Sequence, residues 1–209
     1  MSSPRERVYL LDDEPEMIKA LTRLLRAKLF EVQGFTSVRA FLDASLFDGV
    51  SCLILDVTMP ELNGLELQQR LLDEGNLMPI IFLTAHGDIP MSVRAMKAGA
   101  TDFLAKPVEA SALVRAVRSA LIVSEERVRA QSDTRVWVRR LSTLTPRQRE
   151  VMEHIVNGEL NKQIAADLGT GEQNIKLHRA QIMRKMEVES LAELVLIAER
   201  LGLGKDIRP

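Results

Sequence analysis

Cysteine is nearly absent. Cys52 is the sole thiol in 209 residues, which excludes an internal disulfide framework and any multi-thiolate zinc site. Long apolar runs are missing too. No stretch approaches the ~18 residues that a membrane span requires. The polar start, Met1-Ser2-Ser3-Pro4-Arg5-Glu6-Arg7, leads into only four apolar residues, Val8 to Leu11, which does not fit a secretory signal. The chain reads as cytoplasmic, with no membrane partner. A large net charge is also lacking: the formal value is −1, so the total gives no hint of a polyanionic partner. What is present is ordinary for a globular chain, 46% apolar and 27% charged residues, and argues against disorder. The length suits two domains of roughly 100 residues each.

The charge is unevenly distributed. Residues 1–122 carry 13 Lys+Arg against 16 Asp+Glu, residues 123–140 carry 5 against 3, and residues 141–209 carry 10 against 10. Within the last segment, Gln173 to Met186 holds Lys176, Arg179, Arg184 and Lys185 and no acid. Such a stripe is a local footprint whose meaning depends on its structural context.

Residues 1–122 alternate short apolar runs with helical patterns. The runs are Val8–Leu11, Glu31–Phe35, Cys52–Leu55, Pro79–Leu83 and Asp102–Ala105. Those at 52–55 and 80–83 are apolar throughout, as strands buried on both faces are. Between them, Met17, Ala20, Leu21, Leu24 and Leu25 repeat at 3/4 spacing, as do Leu65, Leu71 and Leu72, with Leu67 fitting less well. Val93, Met96 and Lys97 follow Pro90 near a helix start. Five strand–helix units predict an α/β doubly wound parallel five-stranded sheet with its ligand crevice at the carboxyl ends of the strands.

Leu113, Val117, Leu121, Ser124 and Val128 then continue at helical spacing, with neither Gly nor Pro between Pro107 and Pro146. Residues 123–140 form a linker. The pattern is compatible with a helical extension of the fifth helix and with a kinked, mostly polar connector, in which Trp137 and Val138 are packing residues. Residues 141–209 read as an all-α four-helix domain. Thr145-Pro146-Arg147-Gln148 is a capping box with Pro at the first helical position, Gly158 stops that helix, and Asn161 is the expected cap of the next. A third helix runs from near Gly171 to Met186, and a fourth from Ser190 to Leu201. A short helix, a tight turn and a second helix can present the second helix to a major groove.

Chemistry gathers at the strand ends. Asp12 and Asp13 follow the first strand, Asp56 the third, Thr84 ends the fourth and Lys106-Pro107 follows the fifth. One doubly wound sheet delivers all of them to one edge. Converging carboxylates repel and raise one another's pKa unless a cation neutralises them. Oxygen-rich, thiolate-free ligation suits Mg²⁺. A carboxylate beside Mg²⁺, a lysine and a hydroxyl form a phosphoryl-transfer site. Strand-end carboxylates also serve as helix caps, but three carboxylates together with a hydroxyl and a lysine at four strand ends exceed what capping needs.

These residues resemble the receiver domain of two-component response regulators over residues 7–122, through Leu11-Asp12-Asp13-Glu14, Leu55-Asp56-Val57-Thr58-Met59-Pro60 with Gly64, Thr84-Ala85 and Lys106-Pro107. The resemblance implies a flavodoxin-like receiver in which Asp56 accepts phosphate from a sensor histidine kinase. It implies that Asp12, Asp13, Asp56 and the Thr58 backbone carbonyl hold Mg²⁺, that Lys106 pairs with a phosphoryl oxygen, and that Thr84 turns its hydroxyl to the phosphate. Phe103 takes the aromatic switch position. Lys106-Pro107 looks like the family's cis peptide.

On the helix from Gln173 to Met186, Ile175, Ile182 and Met186 fall on one face, as core against Ile164 and Leu168. Gln173, Lys176, Leu177, Ala180 and Arg184 fall on the other. The narrow outer face can approach a groove, touch thymine methyls and phosphates, and gain salt-dependent attraction from its cations. Leu144 to Val151, Asn161-Lys162-Gln163-Ile164-Ala165, Ile175-Lys176-Leu177-His178-Arg179 and Lys185-Met186 resemble the LuxR-type helix-turn-helix of NarL/FixJ response regulators, the FixJ-like subgroup above all. That resemblance puts Lys176, Leu177 and Ala180 near base edges. Asn174, Arg179, Arg184, Asn161 and Lys162 would lie nearer phosphates, and Ser190 to Arg200 would supply a dimer contact. Gly171 stands where a Ser cap is usual, and Asn174 where Thr is usual. His178 reads as a partly buried packing group, and neither His86 nor His154 has metal-ligand spacing.

The expectation is a phosphorylation-controlled transcription factor, not an enzyme beyond autophosphorylation and autodephosphorylation. It would dimerise on phosphorylation, bind double-stranded promoter DNA and engage RNA polymerase, with activation the expected output. An aspartate-nucleophile phosphohydrolase fits less well, because Asp56-Val57-Thr58 lacks the second acid of Asp-x-Asp. A phosphate-independent binding module is disfavoured by the intact Asp12, Asp13, Asp56, Thr84 and Lys106.

Overall fold

The computed structural model describes residues 6–60, 62–85 and 89–203, and it divides into two units that part between Arg129 and Ala130. In the first unit, strands β1 (Arg7–Leu11), β2 (Glu31–Phe35), β3 (Ser51–Asp56), β4 (Ile80–Thr84) and β5 (Asp102–Ala105) alternate with helices α1 (Pro15–Arg26), α2 (Val38–Leu42), α3 (Gly64–Asp73), α4 (Ile89–Lys97) and α5 (Ala110–Ser142). All strand pairs are parallel, in the order β2-β1-β3-β4-β5. The strand order reverses beside β1 and β3, which in such sheets opens a crevice at their carboxyl ends. The fold is the α/β doubly wound parallel five-stranded sheet that the strand–helix alternation predicts.

Period-2 alternation sorts the strand side chains into two layers. Val8, Leu10, Cys52, Ile54, Ile81 and Leu83 face α1 and α5, where Leu21, Leu25, Leu113, Val117 and Leu121 meet them. Tyr9, Leu11, Leu53, Leu55 and Phe82 face α2, α3 and α4, meeting Phe41, Leu67, Leu71 and Ala95. β3 and β4 are buried at every residue, because helices cover both faces. Ser124 continues the inner stripe of α5. Its hydroxyl accepts the backbone N–H of Ser51 at 2.9 Å, both residues being buried, so the helix holds the start of the central strand.

Several expectations change. α2 carries no legible periodicity in five residues, but Ser37 caps it by accepting from the N–H of Ala40. In α3 the core stripe is Gly64, Leu67, Gln68 and Leu71, while Leu72 is exposed. Gln68 is buried because its amide donates to the carbonyl of Ala98 at the end of α4. α4 presents Ala95 to the core and leaves Val93 and Met96 exposed. α5 is helical across all 33 of its residues.

The second unit contains the end of α5 with α6 (Pro146–Val156), α7 (Asn161–Asp167), α8 (Glu172–Met186) and α9 (Leu191–Arg200). The capping box at Thr145 and Gln148 forms as predicted, and Gly158 adopts the left-handed φ of +80° that stops α6. Asn161 does not cap α7: it is the first helical residue, after Leu160, and the Gln163 side chain accepts the N–H of Leu160. Val151, Ile155, Ile164, Ile175, Ile182, Met186, Leu194 and Ile197 form the core. Trp137 packs against it with the Arg200 guanidinium 5.5 Å from its ring centroid, whereas Val138 is exposed because it lies on the outer side of α5.

Candidate functional site

Register brings the strand-end groups to one level. Leu11 pairs with Leu55, Asp56 with Leu83, and Thr84 with Ala105. The residues immediately beyond, Asp12 and Lys106, therefore flank Asp56 and Thr84 along the carboxyl edge. Asp12, Asp56 and Thr84 are buried, and Asp13 is exposed at the mouth. The Lys106 ammonium lies 2.7 Å from Asp12 Oδ2 and 3.2 Å from Asp56 Oδ1. The other oxygen of Asp12 accepts the N–H of Glu14 at 2.9 Å, which fixes the turn into α1. The Lys106–Pro107 peptide bond is cis.

Burial pushes the Asp56 carboxyl above the usual carboxylate range. Lys106 opposes this by charge and hydrogen bonding, and Asp12 and Asp13 add to it by repulsion. For Lys106, burial favours the neutral amine, but the hydrogen bond and charge of Asp12, then those of Asp56, outweigh burial and raise its pKa. The lysine is thus favoured as a cation, while burial works against the ionised form of Asp56.

Asp12, Asp13 and Asp56 each offer a carboxylate oxygen, and these atoms lie within 4.8 Å of one another. The set is oxygen-only, it has an exposed member where water can complete a shell, and its buried members carry excess negative charge. That fits Mg²⁺, a hard cation that keeps several waters. Thr58 lies two residues past Asp56 on the exposed β3–α3 loop. Phe103, half-buried on β5, packs with its ring centroid 6.2 Å from that of Phe82. Gly64 leaves no room above the end of β3: a Cβ there would lie 2.6 Å from the Asp56 carbonyl oxygen.

In the second unit the outer face of α8 forms as drawn. Gln173, Asn174, Lys176, Leu177, Ala180 and Arg184 are exposed, and Arg179 is half-buried. Asn174 donates to the Thr170 hydroxyl at 3.0 Å. At the start of α7, Asn161 is half-buried and Lys162 exposed. Gly171 precedes α8 without a side-chain cap. His178 is half-buried, with Nδ1 enclosed and unpaired.

Lys185 is half-buried and hydrogen-bonded within the domain, unlike the exposed Lys176 and Arg184. Its ammonium donates to the Thr143 carbonyl and to Gln148 Oε1, each at 2.8 Å. Gln148 in turn donates to Gln181 at 2.8 Å, and Arg140 donates to the Met186 carbonyl at 3.0 Å and pairs with Glu187. This network ties the end of α8 to the α5–α6 connection. Residue spacing could not reveal it, because its members come from three helices; the only signal was the glutamine of the capping box. His154, whose sequence spacing suggested no metal ligation, has its ring 2.7 Å from Glu159, and one ligand atom each of His154, Glu159 and Asp167 lie within 4.8 Å of one another. His86 lies outside the described residues.

Comparison with known proteins agrees with both units. Residues 8–118 match the family described as response regulator receiver domain, and residues 142–198 match bacterial regulatory proteins of the luxR family. The chain is 42% identical over 203 residues to nodulation protein W of Bradyrhizobium diazoefficiens, covering 97% of this chain and 89% of that protein. It is 42% identical over 198 residues to the transcriptional regulatory protein FixJ of Azorhizobium caulinodans, covering 94% and 93%. Among solved structures, that of the response regulator StyR matches with a TM-score of 0.79 and 42% identity, over 94% of this chain and 99% of that one. Among the described residues no helix is long and apolar enough to cross a membrane.

Proposed function

The chain belongs to the response regulators that join a receiver domain to a LuxR-type DNA-binding domain and regulate transcription, and from that premise we propose that phosphorylation of Asp56 controls its hold on promoter DNA. The observation that carries this reading is the Lys106 ammonium bridging the buried Asp12 and Asp56 at the carboxyl edge of the sheet. A sensor histidine kinase is the phosphate donor. An Asp56 carboxylate oxygen bonds to phosphorus as the bond to the kinase's histidine nitrogen breaks. Lys106 and the Thr84 hydroxyl receive the phosphoryl oxygens, the lysine exchanging its contacts with carboxylate for one with phosphate. Asp12, Asp13, Asp56 and the Thr58 carbonyl would hold Mg²⁺, which supplies positive charge against the phosphoryl group. Phe103, packed on Phe82 beside Thr84's strand, follows the threonine and alters the face formed by α4 and β5.

The altered receiver dimerises, and residues 123–140 serve as the linker between residues 1–122 and residues 141–209. Two copies of α8 then meet the two half-sites of a pseudo-palindrome, with α9 contributing to the dimer. Lys176, Leu177 and Ala180 approach base edges, Asn174, Arg179, Arg184, Asn161 and Lys162 hold phosphates, and the bound dimer engages RNA polymerase to activate transcription. The exposure of the α8 outer face, with Lys185 withdrawn from it, supports this assignment. The test is fluorescence binding to the neighbouring promoter with and without acetyl phosphate and Mg²⁺. Affinity rises on phosphorylation in the native chain and stays flat in Asp56→Asn. An Asp56→Asn protein that still responded would overturn the reading.

A further inference from the structure

A second cluster of ligating side chains lies in the DNA-binding unit, away from the phosphoacceptor. His154 sits in the last turn of α6. Gly158 takes its left-handed conformation just beyond, and the chain reverses so that the N–H of Glu159 returns to the carbonyl of His154 at 3.1 Å. The reversal lays the Glu159 carboxylate on the imidazole, 2.7 Å from Nδ1. Asp167, the last residue of α7, completes the group. One ligand atom from each of the three lies within 4.8 Å of the others.

The electrostatics of this group call for a cation. Helix C-termini carry partial negative charge and disfavour carboxylates, yet Asp167 ends α7 and Glu159 follows the end of α6. In the receiver cluster Lys106 supplies the compensating charge. Among the described residues no Lys or Arg forms an ion pair with Glu159 or Asp167. Their neighbour is an imidazole, a side chain whose ring nitrogens can ligate a metal.

We propose that His154, Glu159 and Asp167 form a three-ligand site for Zn²⁺ or a similar borderline divalent cation. One nitrogen and two oxygens with a position open to water is a donor set that suits Zn²⁺, whereas the all-oxygen receiver cluster suits Mg²⁺. The bound ion joins the end of α6 to the end of α7, beside the 168–171 turn that leads into α8. It thereby braces the two helices that precede α8, whereas the Lys185 network ties down the end of α8 itself. Because its ligands exist only in the folded domain, Zn²⁺ raises the thermal midpoint of that domain in a concentration-dependent way.

Full-length protein is titrated with ZnCl2 in excess Mg²⁺, which occupies the receiver carboxylates, with uptake followed by calorimetry and the His154 ring followed by NMR. One equivalent of Zn²⁺ is taken up, the His154 ring signals shift, and the midpoint rises. His154→Ala loses affinity by at least the roughly 10–100-fold typical of removing even an outer partner of a metal site. The near-isosteric pair Glu159→Gln with Asp167→Asn gives the same loss, and decides the matter should His154→Ala fail to fold. No Zn²⁺ uptake in excess Mg²⁺, or equal uptake by native protein and the paired variant, overturns the proposal.

Discussion

Replacing Lys106 with Met keeps most of the side-chain volume and removes the charge, which isolates what the ammonium does. Its side chain is 9% exposed, and those of Asp12 and Asp56 are 4% and 7%, so bulk water screens little. At an effective dielectric of about 20, unit charges at those two separations attract by about 6 and about 5 kcal/mol. Desolvation of the three groups offsets most of that. Stranding a buried charge by removing its partner costs about 3–5 kcal/mol, and here two carboxylates are stranded. At about 4 °C per kcal/mol for a domain of this size, the receiver midpoint falls by roughly 12–20 °C at pH 7.

The loss depends on pH in a definite direction. Asp56 already stands above the usual carboxylate range, and Lys106 is the influence holding it down. In the variant its pKa rises further. A carboxyl raised by folding stabilises the protein below its unfolded pKa, and that stability disappears as pH climbs through the folded value. The gap between native and Lys106→Met therefore narrows as pH falls from 7 towards 5, and Mg²⁺ narrows it at pH 7 by replacing the missing charge. Urea unfolding at both pH values, with and without Mg²⁺, measures this. A loss below about 1 kcal/mol, or one indifferent to pH and Mg²⁺, would refute the account.

Asp56→Asn removes an anion whose burial is unfavourable, so without Mg²⁺ its thermal midpoint exceeds the native one at neutral pH, and the difference fades below the ordinary carboxylate range; a lower midpoint at pH 7 contradicts this. Ser124→Ala leaves the buried N–H of Ser51 without the hydroxyl that accepts it and costs about 1–3 kcal/mol, read by denaturant melts. Gly64→Ala drives a Cβ to 2.6 Å from the Asp56 carbonyl and 3.1 Å from the Phe82 ring, costing about 1–3 kcal/mol and slowing phosphorylation by acetyl phosphate. Arg184→Ala lowers the salt dependence of DNA binding by about 0.9 in log–log slope, whereas Lys185→Met leaves that slope alone and destabilises the domain by about 1–3 kcal/mol; equal slopes for native and Arg184→Ala remove Arg184 from the phosphate contacts.

The sequence was most legible where backbone periodicity alone decides what a side chain meets. Strands β3 and β4 declared themselves as unbroken apolar runs, and once they are parallel the residues at their ends, Asp56 and Thr84, share an edge with Asp12 and Lys106 by register. The outer face of α8 follows from its 3.6-residue period in the same way. Legibility failed where a polar side chain was buried for a tertiary reason. Gln68 interrupts the apolar stripe of α3, and its carbonyl partner at Ala98 belongs to another helix, so Leu72 looked like core and is not. Lys185 looked like part of a basic stripe because charge along a helix says nothing of which cation reaches inward to a carbonyl 42 residues earlier.

His154 marks the limit of spacing rules most clearly. Metal-ligand spacings presume that ligands share one helix face or one loop, and 154, 159 and 167 satisfy neither condition. What joins the first two is the left-handed turn at Gly158, legible in the sequence as a helix stop but silent about the direction of the chain beyond it. What adds the third is tertiary: Ile155 of α6 and Ile164 of α7 belong to one core, which also takes in Ile175 and Ile182 of α8. A glycine that ends a helix therefore also decides which side chains meet across the break. When a carboxylate follows it and an imidazole precedes it by one turn, the pair is the place to look for a third ligand.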